Sequence, residues 1–351
     1  RPASVAAAHV GPRVRHAVEM KIHSQPEQMG GVWANAAAVA HGSVSSFSLN
    51  DLAAAATHFS RGEQIGLFAL VFTGFAVLAG MFPFHTWAPD TYQGAPTPVT
   101  AFLSVASKTA GFVALVTVVY VGFPGSSEVW QPVFWILSAL TMTVGNVLAL
   151  KQTNIVRMLA YSSIAQGGFI LMPLAVAGEQ GVAESALRAV VTYLLVYAAT
   201  NLGVFAVIMA VSRKTRSGEI SSYGGLFSYA PGLATLMTLF MASLAGIPPL
   251  GGWFGKFAAF QSLVSAQNNW AYALAIIGGV NSVVAFGYYG SILREMWMRP
   301  VPDGDSSPVP IHSSLIVALA ITGSATLLLG VLPGIVIHFG DLAGLAGAFG
   351  G

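Results

Sequence analysis

The sequence predicts an all-α polytopic membrane protein with about eight transmembrane elements. Three observations lead there. Of 351 residues, 55% are hydrophobic and only 8% are charged, against about 25% charged in a typical soluble domain. Long apolar windows recur from about Gln64 onward, and a span needs about 20 apolar residues. The windows lack the alternation of a membrane strand, so helices are the one way to pair every backbone group in lipid. The formal charge of +2 is too small to point to nucleic acid. The chain has no cysteine, which excludes disulfides, cysteine-ligated zinc and iron–sulfur clusters. It carries no phosphate loop, dinucleotide glycine fingerprint or HExxH motif. Any redox chemistry must therefore sit on another chain.

The windows run roughly over 64–82, 98–122, 131–150, 155–177, 186–211, 230–267 (interrupted), 271–293 and 313–338. They define a transmembrane domain over 61–351. Residues 1–60 are a separate, unassigned segment. Its opening, "RPASVAAAHVGPRVRHAVEMKIHSQPEQMGG", contains no run long enough to span. Five of the eight histidines (His9, His16, His23, His41 and His58) fall in it. It does not read as a signal peptide, since no charged start leads into a short apolar core. We expect it to be disordered or poorly packed.

Loop charges set the expected orientation. One face receives Lys151, Arg157, Arg213, Lys214, Arg216, Arg294 and Arg299; the other receives only Arg61 and Arg188 among basic residues, with Glu63, Glu128, Glu179 and Glu184. The positive-inside rule puts the first face in the cytoplasm. The loop at about 83–97, containing "PFHTWAPD", is then cytoplasmic, and Gly351 lies outside. A bacterial plasma membrane fits this pattern.

Two elements carry proline breaks. The first ends "LAGMFPF" (Leu78 to Phe84) and the sixth contains "LAGIPPLGG" (Leu244 to Gly252). Proline removes a helical donor and clashes with the preceding turn. Proline-interrupted helices at corresponding points of two multi-helix units mark inverted repeats with ion sites near the midplane. Two ordinary proline kinks are the plain alternative.

Of fifteen Lys and Arg residues, only Lys108 and Lys256 sit well inside apolar windows. Lys108 lies about ten residues into its helix, about 15 Å along a 30 Å hydrocarbon core. Snorkelling works only from near a helix end, and a central lysine costs about 2.5–3.5 kcal/mol to insert. Burial favours the neutral amine and a nearby carboxylate the charged one, so a lysine held between these pulls can pass a proton on. A structural lysine bonded to a neighbouring helix remains the alternative. Lys256 follows the second break in "GIPPLGGWFGKFAAF", where unwound backbone can line a water-filled cavity; a snorkelling lysine near a helix end is the alternative. No Asp or Glu lies deep in any window. Thr141, Thr143, Asn146, Ser162, Ser163, Gln166, Tyr197 and Asn201 do. They could hold water between the lysines, but such residues more often make helix–helix hydrogen bonds of about 0.6 kcal/mol each. His85, beside Trp87 and Asp90, is either a proton entrance or a packing histidine.

At these residues a family resemblance emerges. "PFHTWAPDTYQGAPTPVTAFLSVASKTAGF", "NVLALKQTNIVRMLAYSSIAQGGF" and "SLAGIPPLGGWFGKF" resemble three signatures of the N-type antiporter-like subunit of NADH-quinone oxidoreductase, respiratory complex I. The resemblance runs from about residue 45 to the end. It implies an antiporter-like fold of inverted repeats, no cofactor in this chain, and other membrane-arm subunits and the lipid bilayer as partners. It also implies that Lys108 is the central relay lysine and Lys256 the lysine of the second broken helix, near the proton exit. The chain departs from the family pattern in two ways. Leu78 occupies the position of the family's usual lysine, five residues before Pro83. Six further helices and their glutamate, usual in the family, have no counterpart here, so the fold reads as N-terminally incomplete. Residues 1 to about 40 look like out-of-frame GC-rich sequence and are expected to be non-native. Two other readings stand beside this one: a subunit of a multi-subunit cation/proton antiporter, and a structural membrane-arm subunit that does not pump.

Overall fold

The computed structural model describes residues 59–335 except 124, 303 and 333. Expectations for residues 1–58 and for Gly351 lie outside the described residues. Every regular element among the described residues is helical, apart from one isolated bridge between Asn154 and Glu219.

Seven helices are long and apolar enough to cross a membrane. They are α1 (Arg61–Ala79), α3 (Thr97–Gly122), α4 (Ser127–Ala149), α5 (Ile155–Val176), α6 (Ala183–Thr215), α9 (Asn269–Met298) and α10 (Ser313–Val331). Three shorter helices complete the order: α2 (Trp87–Gly94), α7 (Pro231–Ala245) and α8 (Gly251–Ser265). The interrupted sixth window is the α7–α8 pair, which supplies the eighth element.

Local sequence sets most of the ends. Ser60 and Glu63 form a reciprocal capping box at the start of α1: the Ser60 amide donates to Glu63 Oε2 at 2.8 Å, and the Glu63 amide to Ser60 Oγ at 3.4 Å. The Asn154 side chain accepts from the amides of Val156 and Arg157 and so starts α5. Pro231 sits in the first turn of α7, where its missing amide costs nothing. The two "LAG" stretches behave alike. α1 ends at Ala79 and Gly80 follows at φ +66°; α7 ends at Ala245 and Gly246 follows at φ +93°. Only glycine takes that conformation freely. Each break also contains a cis X–Pro bond, Phe82–Pro83 and Pro248–Pro249.

Two local features differ from expectation. The stretch 83–97 is not one loop: Trp87–Gly94 forms α2, with Ala88, Pro89 and Tyr92 buried. Pro83 ends one helix but does not prevent the next from starting four residues on. In α3, the α-helix gives way to π-helical turns at Leu103–Ser107 and Val118–Gly122. The first ends immediately before Lys108. π-Turns are rare and concentrate at functional sites, and no periodicity in the sequence announces one.

The chain divides into two compact units. In the smaller, made of residues up to Leu78 with Ala110–Trp130, Phe68 meets Phe123 edge-on at 5.6 Å and Ser126 Oγ donates to Gln64 Oε1 at 3.2 Å. The larger comprises Ala79–Thr109 and Gln131 onward. Its centre is α5, buried over almost its whole length, and α6, largely buried. α6 packs against α7, α8, α10 and the first turn of α3, while α5 packs against α2. Glycines permit the closest approaches. A Cβ on Gly168 would fall 2.5 Å from the Met142 amide, and one on Gly252 would fall 1.8 Å from the Ser243 carbonyl oxygen. α9 and α10 are covered over only about a quarter of their length and present broad apolar faces, as lipid-facing helices do.

Candidate proton-transfer site

The site is built in the larger unit from α3, α5, α6 and the two helix breaks. Four carbonyls at every helix C-terminus lack an intrahelical partner, and the helix dipole makes that end partly negative. A break inside a membrane puts such an end where water cannot serve it. Lysine serves it here, twice. Lys108 Nζ donates to the Ala79 carbonyl at 3.1 Å and to the Ser163 carbonyl at 2.7 Å. Lys256 Nζ donates to the Ala245 carbonyl at 2.9 Å. Ala79 and Ala245 are the equivalent last helical residues before Gly80 and Gly246. Lys256 packs so closely that a Cβ on Gly246 would lie 2.9 Å from its Cδ.

Both lysines are buried, at 3% exposure for Lys108 and 5% for Lys256. Among the described residues His85 is the only other ionisable Asp, Glu, His, Lys or Arg side chain that is buried. No carboxylate joins either ammonium. Backbone carbonyls and helix-end dipoles take that role, which matches the absence of deep acidic residues in the sequence. Backbone acceptors hold an ammonium without neutralising it, so each lysine retains a proton that it can give up.

One face of α5 runs between the two lysines. Ser163 offers its carbonyl to Lys108, and the Phe169 ring lies 4.7 Å from Lys256 Nζ, a cation–π contact. Gln166 sits between these residues and uses its whole amide. Its nitrogen donates to the Leu244 carbonyl at 3.1 Å and to Tyr289 Oη at 3.2 Å, and its oxygen accepts from Tyr193 Oη at 2.6 Å. Ser162 Oγ is also bonded to Tyr289 Oη. Further out, Asn146 is bonded to Asn281 and Tyr288, and Asn281 to Thr143. Thr141 Oγ1 accepts from the Phe82 amide beside the first break. Asn201 Nδ2 donates to Ser104 Oγ at 2.7 Å inside the π-turn of α3. Most of the polar residues legible in the sequence are therefore helix–helix fasteners. Gln166 and Tyr197 alone line the small cavity beside α6, together with Tyr193, Thr200 and Ser243. The sequence reading missed Tyr193, Tyr289, Thr200, Ser243 and Asn281. Tyrosine and threonine in an apolar window look like ordinary membrane residues, and nothing short of the fold shows which way they face.

His85 lies in neither open loop nor solvent. It is 7% exposed between α1 and α2, 5.7 Å from the Phe82 ring, and its Nδ1 has no hydrogen-bond partner. Burial pushes the imidazole below the ordinary histidine range, and the Pro83 carbonyl pulls weakly the other way. Asp90 and Arg157 are exposed; Arg157 Nη1 donates to Asp90 Oδ1 at 2.7 Å and to Gln93 Oε1 at 3.0 Å. Leu78 is 43% exposed on α1 and points to neither lysine's bonded atoms.

Comparison with known proteins agrees with this architecture. The family model described as NADH:quinone oxidoreductase/Mrp antiporter, transmembrane, matches residues 34–283, so the match begins inside the segment the sequence left unassigned. NADH-quinone oxidoreductase subunit N 1 of Herpetosiphon aurantiacus is 43% identical over 277 residues, which cover 79% of this chain and 54% of the relative. The subunit N of Trichlorobacter lovleyi is 41% identical, with coverage of 80% and 55%. The chain thus spans about half the length of the curated relatives it matches. A chain of respiratory complex I from Thermus thermophilus superposes with a TM-score of 0.70 at 30% identity, over 88% of this chain and 66% of that one. Its broken helices, buried lysines and family match over more than half its length lead to one conclusion: the chain belongs to the NADH:quinone oxidoreductase/Mrp antiporter transmembrane family.

Proposed function

We propose that this chain works as the N-type, proton-translocating membrane subunit of an NADH-quinone oxidoreductase. It passes protons between Lys108 and Lys256 in response to quinone reduction on other subunits. One observation carries this reading: two buried ammonium groups serve equivalent carbonyls at two helix breaks, with no carboxylate to neutralise them. A lysine that donates to a helix end is bound most tightly while charged. Moving a charge nearby, or shifting the broken helix by about 1 Å, weakens that bond and releases the proton. The curated relatives, all named as N subunits at about this identity, favour this reading over a cation/proton antiporter subunit. Its partners in that role are the other membrane-arm subunits and the bilayer. The redox cofactors sit on those partners, and His85 is a second-rank candidate for proton entry.

The same reading sets the sidedness. The end of the helices that carries Lys151, Arg213, Lys214, Arg216, Arg294 and Arg299 faces the cytoplasm of a bacterial cell. Asp90 lies on that side, and the C-terminus lies outside.

Lys256→Met tests the function. Methionine keeps the length and removes the ammonium. In vesicles from cells carrying the variant, NADH-driven proton uptake should collapse while the assembled enzyme remains detectable. Uptake at the wild-type rate would rule out Lys256 as a relay group.

A further inference from the structure

The two lysines touch α5 at Ser163 and at Phe169. Six residues at 1.5 Å each separate these points by about 9 Å along the helix. No proton crosses that gap in one step, so something must stand between. Gln166 occupies the direct line, but an amide with both N–H groups donated and its oxygen occupied has nothing left to exchange. The way round it is on α6. Tyr193, Val196, Tyr197 and Thr200 recur at the spacing of one helical face, and all four line a small cavity closed by Gln166, Ser243, Leu244 and Gly252. The room is roughly that of one water molecule, and the lining is polar enough to hold it. One group in it is conspicuous. Tyr197 is 2% exposed, yet its hydroxyl has no hydrogen-bond partner in the protein. The Ser163 side chain is near it but makes no bond of acceptable geometry. A buried hydroxyl left bare costs about 1–3 kcal/mol, which a water in the cavity removes. The cavity reaches both lysine neighbourhoods. Tyr197 stands on the Ser163 side, where Lys108 is held; Leu244 and Gly252 belong to the break around Lys256.

We propose that this cavity is a water-binding site, and that Tyr197 with its bound water forms the hydrogen-bonded link between Lys108 and Lys256. The inference rests on the proposed relay function. The transfer is a proton hop along hydrogen bonds. Tyr197 accepts a proton on its oxygen from the Lys108 side and gives its own hydroxyl proton to the water, which passes one on toward Lys256. Each carrier ends neutral after a turn of the hydroxyl. Gln166 is a positioning residue: it fixes the Tyr193 and Tyr289 hydroxyls around the cavity and does not itself carry the proton.

Tyr197→Phe in the whole enzyme is the test, measured in membrane vesicles beside Lys108→Met. Phenylalanine keeps the ring and removes only the hydroxyl. The expected result is normal assembly, a fall of tenfold or more in NADH-driven proton uptake, and a changed solvent deuterium isotope effect on the remaining rate. A merely structural tyrosine would leave that isotope effect unmoved. If Lys108→Met abolishes uptake while Tyr197→Phe keeps the wild-type rate and isotope effect, the water link is wrong and the lysine relay stands. If Lys108→Met itself pumps normally, the relay reading fails and the link falls with it. Should Tyr197→Phe reduce assembly, Thr200→Val decides. It removes a polar wall of the same cavity, and an unchanged uptake and isotope effect in that variant overturns the proposal.

Discussion

Lys108→Met isolates what the ammonium does. The side chain keeps its length and loses its charge and three donors. Two carbonyls lose a partner. The Ser163 carbonyl lies within α5, whereas the Ala79 carbonyl is a helix end with little else to bond. Leaving it bare costs about 1–3 kcal/mol. Against this, the variant no longer keeps a charge out of water, and the effective penalty for one buried ion is itself several kcal/mol. The two terms have opposite signs and similar size, so net stability should change little and the subunit should assemble. Function has no such compensation. A positioned proton donor or acceptor is worth about 10²–10⁴ in rate, so uptake through this chain should fall by at least about 100-fold. The assay is quenching of a pH-sensitive dye in inverted vesicles driven by NADH, normalised to the amount of assembled enzyme. Lys108→Arg sharpens the test. It keeps the positive charge and the donors, but a guanidinium does not deprotonate in a protein, so it should pump as poorly as methionine. Wild-type uptake in Lys108→Arg would refute the relay argument and leave Lys108 as a fixed charge on a helix end.

Three further outcomes follow from the geometry. Because the chain has no cysteine, a single cysteine replacing Asp90, which is exposed, should react with an impermeant reagent in inverted but not right-side-out vesicles; the opposite pattern would reverse the topology. Gly252→Ala places a Cβ 1.8 Å from the Ser243 carbonyl oxygen with backbone on both sides. It should cost at least the 1–3 kcal/mol of overpacking and sharply lower the assembled amount, whereas Gly74→Ala, with open space around it, should be silent. Burial lowers the His85 pKa, so its neutral form stabilises the fold fully above an unfolded value of about 6.5, and that contribution is lost as pH falls through the lower folded value. Thermal stability of His85→Phe should therefore decline less than wild type between pH about 6.5 and 5, and parallel curves would show that His85 does not titrate in the fold.

Much of this protein is determined by its sequence alone. Hydrophobic length fixes the number of crossings, because a bilayer of given thickness demands it. The eight expected windows therefore match seven long helices and the α7–α8 pair within a few residues. Proline and glycine fix the breaks, because the missing amide and the positive φ are properties of those residues and not of their surroundings. The cost of a charge in hydrocarbon singles out Lys108 and Lys256, whatever they touch. The structure alone decides their partners. A reading for side chains finds no acid to pair with these lysines; the acceptors are the backbone carbonyls of Ala79, Ser163 and Ala245, which every residue carries and no sequence pattern marks. The same holds for α2, which restarts four residues after Pro83 because Ala88, Pro89 and Tyr92 find a face of α5 to bury against. It holds for the π-turn before Lys108, and for the bare Tyr197 hydroxyl. Each depends on which residues distant in the chain are brought together, and that is set by packing between helices, not by the order of residues within one.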